Sequence, residues 1–131
     1  MTDRRRSFEV PGFGHGTNPI PAAARIGDMV ATGGISGIDL TTGQMPQTLE
    51  AQCANMFSLM GKVLESAGVS YGDVLKVTVF LKPGLPRDAV NAEWVKYFPD
   101  PHGRPVRHTV VQEHLANRML VQCEVLAVAQ R

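Results

Sequence analysis

Arg104-Pro-Val-Arg-His-Thr-Val-Val111 and Leu120-Val-Gln-Cys-Glu-Val-Leu-Ala-Val128 close the chain. Both read as strands, being short, apolar and rich in β-branched residues. Side chains of a strand alternate between faces, so Leu120, Gln122, Glu124, Leu126 and Val128 share one side. Val121, Cys123, Val125 and Ala127 share the other, an unbroken apolar row that reads as core. A carboxylate in so apolar a strand is costly to bury unless it is paired or has a task. Arg107 is the candidate to share the site of Glu124, because a guanidinium grips a carboxylate through two parallel hydrogen bonds. Two readings follow. In one, Arg107 holds a substrate carboxylate and Glu124 handles protons. In the other, the two form a structural ion pair at a sheet edge, the commoner case when spacing alone is considered.

Upstream, Thr48 suits a helix N-cap, and Cys53, Met56, Phe57, Met60, Val63, Leu64 and Ala67 recur at helical spacing before Gly68, a natural stop. Residues 73–82 are rich in Val, Thr and Phe and read as a strand ending in the turn Pro83-Gly-Leu-Pro86. A second helix follows, with Val90, Trp94 and Phe98 on one face, ended by Pro99-Asp-Pro-His-Gly103. Nearer the start, residues 23–35 read as a strand pair around the turn Arg25-Ile-Gly-Asp28, with a loop over residues 38–44. Residues 1–18 carry no clear period and read as a flexible arm, mobile or draped, in front of a single domain over 19–131. Gly12-Phe-Gly-His-Gly16 follows no strand and lacks a Lys-Ser/Thr ending, so it reads as a turn rather than a phosphate loop. The element order predicts an α+β fold, one sheet with both helices on one face. The other face then needs cover, and self-association supplies it, which predicts a homo-oligomer with sites between subunits.

With 131 residues the chain is long enough for one modest core. A net charge of +1 creates no long-range field for nucleic acid or membrane. The basic run Arg4-Arg5-Arg6 reads as a solvated tail, and the Ser-Phe-Glu-Val-Pro after it is no signal peptide. Cys53 and Cys123 lack CxxC spacing and read as buried free thiols of a cytoplasmic protein. His15, His102, His108 and His114 show neither HxxxH nor HExxH spacing, which argues against a metal site. No nucleophile elbow, Rossmann or Walker pattern occurs, so the expected chemistry needs no cofactor. Proton transfer on a small, already activated substrate fits that limit.

Several segments, taken in order, resemble the reactive intermediate deaminases (Rid, also called YjgF) over about residues 19–130. They are the opening segment Pro19-Ile-Pro-Ala-Ala-Ala-Arg-Ile-Gly-Asp28 and the strand end Ala31-Thr-Gly-Gly34. Ala67-Gly68 with Gly72-Asp-Val-Leu-Lys-Val-Thr-Val-Phe80 is a close match. Val90-Asn-Ala92 with Tyr97-Phe98, Pro105-Val-Arg107 and Cys123-Glu-Val-Leu-Ala127 complete the series. The resemblance implies a chorismate-mutase-like fold of the bacillus type, a homotrimer with a barrel-like core and sites at the subunit clefts. It also implies hydrolysis of 2-imino or 2-enamino acids to 2-keto acids and ammonia, without metal or cofactor. By carry-over, Arg107 clamps the substrate carboxylate and Glu124 positions or activates water. Thr32 stands where the family has a site serine, Asn91 matches a helix asparagine near the cleft, and Thr109 stands where a cysteine often sits.

This chain departs from the pattern at three points: Ile20 replaces a usual tyrosine, His108 replaces a serine, and Thr109 the cysteine. The substrate pocket therefore differs from that of the well-known members, which leaves open a different imine, such as an aminomuconate-like compound, or lost activity. His108 faces away from Arg107 in a regular strand and reads as a solvent or interface residue. Three functions compete: imine deaminase, non-catalytic small-carboxylate binder, and RNA cleavage. Near-neutral charge and only eight aromatic residues argue against the last. With the resemblance in view, the functional reading of Arg107 and Glu124 is preferred to the structural ion pair.

Overall fold

The computed structural model describes residues 6–130. Residues 1–5, which hold the start of the arm and two arginines of the basic run, lie outside the described residues. The chain forms β1 (Ser7–Phe8), β2 (Ala23–Ile26), β3 (Met29–Thr32), β4 (Ile35–Ser36), α1 (Leu49–Ser66), β5 (Val74–Leu81), α2 (Asp88–Tyr97), β6 (Val106–Val111) and β7 (Val121–Val128). The strands make one sheet in the order β1-β2-β3-β7-β5-β6, with β4 also pairing β7. β5 and β6 run parallel and the other neighbours antiparallel, so the sheet is mixed. The α+β expectation is met, with both helices on one face. No helix among the described residues is long and apolar enough to cross a membrane.

Local signals set the long helix. The Thr48 hydroxyl accepts from Ala51 N at 3.2 Å, and Gly68, at a φ of 81°, closes the other end as its N donates to Glu65 O. The face between them buries Cys53, Met56, Phe57, Met60, Val63 and Leu64 against the sheet. From the sheet side come Val77 and Val79 of β5 and Val121, Cys123, Val125 and Ala127 of β7, all buried as their alternation requires. A register shift between Val74 and Lys76 leaves Leu75 as an extra, exposed residue, which is how Val74 and Val77 both reach the core.

The parallel pair β5 and β6 needs a crossover, and α2 is that crossover. It docks on α1 through aromatic rings. Phe57 stacks on Tyr97 at 5.8 Å, Tyr97 meets Tyr71 at 4.9 Å and Trp94 meets Phe98 at 4.8 Å. This docking holds the middle of α2 over strand β6.

The arm is draped rather than free over its described part. Ser7 and Phe8 pair with Ala24 and Ala23. Phe13 N and Val10 O then close a turn, with Gly12 at a φ of 82°, so the glycine-rich stretch is the expected turn.

One buried polar side chain braces the core. Gln52 of α1 is 1% exposed, its amide donates to Pro46 O and Arg118 O, and its carbonyl accepts from Leu120 N. It thereby ties α1 to the loop entering β7, where Asn117 and Arg118 both have positive φ. Gln52→Leu removes all three bonds and strands buried backbone groups, so chemical denaturation is expected to show a loss of about 3 kcal/mol. A loss within experimental error of zero would show that the brace carries no stability.

Cys53 and Cys123 are free and buried. Burial, with smaller contributions from Glu93 and Glu50, pushes the Cys53 thiol up to about 12. Burial pushes Cys123 up as well. The thiolate is the reactive form, so neither cysteine is expected to react with an aromatic disulfide reagent near neutral pH until the protein unfolds. Rapid labelling of the native protein would contradict this.

Candidate active site

Arg107, Asn91 and Thr109 come together where α2 lies over strand β6. The Arg107 Nη2 donates to Asn91 Oδ1 at 2.6 Å, and its Nε donates to Thr109 Oγ1 at 3.2 Å. The guanidinium carbon lies 4.9 Å from the centre of the Trp94 ring, a cation–π stack. One amide carbonyl, one hydroxyl and one indole thus fix the orientation of the fork. The remaining nitrogen, Nη1, is buried and has no hydrogen-bond partner. Burial lowers the Arg107 pKa from its ordinary value, and the neighbouring Arg87 cation lowers it further. Among the described residues no carboxylate forms an ion pair with Arg107. A guanidinium fixed in orientation and without an internal counter-charge has the chemistry to bind an anion.

Glu124 is elsewhere. Strand β5 lies between β6 and β7, with Thr78 opposite both His108 and Glu124, and Val77 opposite both Arg107 and Val125. Glu124 and His108 therefore lie in one row on the open face, and Arg107 lies in the next row on the helix face. Within one chain Arg107 and Glu124 therefore do not meet, neither as clamp and base nor as an ion pair. The physical reason is the register, which puts the two residues one step out of phase across β5. His108 does face away from Arg107, as its strand position requires.

Thr32 bonds to the backbone of β7 rather than to Arg107. Its hydroxyl accepts from Val125 N at 3.0 Å and donates to Gly33 O at 2.8 Å. Both hydroxyl functions are engaged in tying the end of β3 to β7, immediately after Glu124. Ile20, at the position of the usual tyrosine, is half exposed, at 50%.

A separate concavity of about 560 Å³ opens where the glycine-rich arm crosses the start of β4. Its lining includes Phe13, His15, Gly34, Ser36, Met119 and Gln122. His15 Nε2 donates to Gly34 O at 3.1 Å, so the second ring nitrogen, Nδ1, is left buried and unpartnered. Gly33 makes this seat possible, since a Cβ there would stand 3.2 Å from the imidazole. His15 was not legible as a cavity residue because the arm carries no periodic signal, and Gln122 was legible only as a strand-face residue because the arm that covers it lies far away in the chain. Sequence spacing places Trp94 on one helix face with Val90 and Phe98, without a role at Arg107. The spacing of Arg87, Asn91 and Trp94 on one helix stripe was the available clue to the Arg107 surroundings. Among the described residues, no cluster of three or more His, Cys, Asp or Glu could hold a metal ion.

Comparison with known proteins agrees with the fold. The profile of the endoribonuclease L-PSP family matches residues 17–129. A RutC family protein of Haemophilus influenzae is 30% identical over 112 residues, covering 84% of this chain and 86% of the relative. The 2-iminobutanoate/2-iminopropanoate deaminase of Escherichia coli K12 is 28% identical over 111 residues, covering 84% and 87%. A solved structure of a candidate endoribonuclease from Thermotoga maritima superposes with a TM-score of 0.84 at 30% identity, covering 97% of this chain and 99% of that one.

Proposed function

Because this chain belongs to the endoribonuclease L-PSP family, the family of the RutC and YjgF/Rid proteins, we propose that it is a cofactor-independent hydrolase of 2-imino and 2-enamino acids, releasing 2-keto acids and ammonia. The observation that carries the reading is the Arg107 guanidinium, oriented on three sides and lacking both a carboxylate and a partner for Nη1. The names of the deaminase relatives add the reaction type. In this reading Arg107 binds the substrate carboxylate, with Asn91 and Thr109 setting its angle. Water adds to the electrophilic C2 as Glu124 takes one of its protons and passes it to the nitrogen. Glu124 then takes the hydroxyl proton of the resulting carbinolamine and gives it to the nitrogen as the carbonyl forms and the C–N bond breaks, releasing ammonia. A positioned carboxylate acting on protons contributes about 10²–10⁴-fold.

Glu124 and Arg107 lie on opposite faces of one chain, so this mechanism places them in a cleft between copies. We propose a homotrimer of the chorismate-mutase-like type, the open faces apposed in a barrel-like core. Its support is the apolar surface left on that face, where Met29 is 49%, Val106 64% and Val110 40% exposed. A second reading, a carboxylate-binding protein without turnover, is favoured by two observations. The groups nearest Arg107 are neutral or cationic, and the cavity at β4 offers Gln122 rather than a carboxylate. A net charge of +1 argues against RNA as substrate.

The deciding experiment couples an amino-acid oxidase, which generates 2-iminobutanoate or 2-iminopropanoate, to capture by semicarbazide. Suppressed semicarbazone formation in the presence of the protein is the expected result. Unchanged formation excludes these small imines as substrates.

A further inference from the structure

Gln122 and Glu124 share one face of β7, two residues and so about 7 Å apart along the strand. Gln122 lines the concavity of about 560 Å³ beneath the arm. The neighbouring strands lead to the same place. Ser36 stands opposite Gln122 in register and lines the cavity together with Gly34. A Cβ on Gly34 would collide with the Gln122 amide, so that amide lies across the Gly34 backbone. Two residues before Gly34, the Thr32 hydroxyl accepts from the N of Val125, the residue after Glu124. The cavity therefore adjoins Glu124 along two strands at once. In the proposed mechanism the reacting C2 stands at Glu124, so this cavity is the space beside whatever side chain C2 carries.

The lining decides what fits there. The arm supplies two rings, Phe13 meeting the His15 imidazole edge-on at 5.6 Å, and the bond from His15 to Gly34 O holds them in place. Met45 and Met119 add thioethers, which pack well against aromatic rings. Among the described residues no Asp, Glu, Lys or Arg lines the cavity. A charged side chain entering it would lose water and gain no counter-charge, whereas a ring would exchange water for apolar and aromatic contact. The volume is in the range of pockets that enclose a whole drug-sized ligand, and a two-carbon tail leaves most of it empty. We propose that the cavity is the side-chain subsite of the Glu124 site, and that the substrate is a 2-imino or 2-enamino acid with a large, uncharged, aromatic side chain. This inference rests on the deaminase reading above and narrows it from imino acids in general to aromatic ones.

The test titrates the full-length protein calorimetrically with three product-side probes that differ only in what the fourth carbon bears: 2-oxobutanoate, 2-oxo-4-phenylbutanoate and 2-oxoglutarate. The wild type is expected to bind the phenyl compound about tenfold more tightly than 2-oxobutanoate, the scale set by burying one ring, and 2-oxoglutarate no more tightly than 2-oxobutanoate. Met119→Trp and, separately, Met45→Trp place an indole in the space the ligand ring would take, and in each the phenyl-to-methyl ratio is expected to fall close to one. Both methionines are half-buried at the cavity wall, and thermal unfolding of each variant is recorded so that either one can carry the test. Arg107→Ala is expected to weaken the phenyl compound along with the others. Equal affinities in the wild type, a preference for 2-oxoglutarate, or a phenyl preference kept in the folded tryptophan variants overturns the proposal while leaving the Arg107 clamp standing. Binding of the phenyl compound at undiminished affinity in Arg107→Ala overturns it too, by making the cavity a separate site. Failure of the wild type to bind any of the three overturns the clamp as well.

Discussion

Arg107→Ala is expected to weaken 2-keto acid binding by about 10²–10⁴-fold, since charge-assisted hydrogen bonds contribute roughly 1.5–3 kcal/mol each and one cation makes two of them to a carboxylate. Turnover of imines is expected to fall with it. The fold is expected to survive. The bonds to Asn91 and Thr109 and the stack on Trp94 are lost, but so are a partly buried charge, a stranded Nη1 donor and the repulsion from Arg87. These changes oppose one another, and the net shift in unfolding free energy is expected to be within about 1 kcal/mol. Thermal unfolding with and without 2-oxobutanoate reads both quantities at once. Protection by the keto acid that persists in the variant would remove Arg107 from the site.

Glu124→Gln tests the other half of the proposed mechanism. The amide keeps the size of the side chain but cannot accept a proton from water, so turnover is expected to fall by about 10²–10⁴-fold with keto acid affinity little changed. Because Glu124 is exposed in the single chain, with neither a core contact nor an ion pair among the described residues, the substitution is expected to leave stability unaltered. The contrast with Arg107→Ala is diagnostic: one variant loses binding, the other keeps binding and loses chemistry. Unchanged turnover in Glu124→Gln would exclude Glu124 from the mechanism and turn attention to the cavity that holds His15 and Gln122.

The elements were legible in the sequence where their signals are local. Thr48 and Gly68 bracket the long helix because capping bonds and a positive φ act within a turn of the chain. The buried row Val121, Cys123, Val125 and Ala127 follows from strand alternation. Asn91 and Thr109 entered as candidates through family resemblance, and their hydrogen bonds to Arg107 are seen in the structure. The Leu75 register shift, the Gln52 brace and the draping of Ser7 and Phe8 on β2 were not legible. Each depends on a partner far away in the chain, and no short window of sequence contains it.

The sequence by itself determined the two helices and the main strands, which face of each is apolar, and that Arg107 and Glu124 are the unusual charges of the closing strands. Periods of 3.6 and 2.0 are properties of a short stretch of backbone, so they are written in neighbouring residues. The tertiary structure alone decided which of these residues meet. Arg107 gained Asn91, Trp94 and the nearby Arg87 because the crossover between parallel β5 and β6 lays α2 over the edge of the sheet. Glu124 was sent to the opposite face because β5 pairs with both β6 and β7, and its register sets the phase between them. That phase is a relation between two strands, set by pairing across a third, and the pattern within either strand does not contain it.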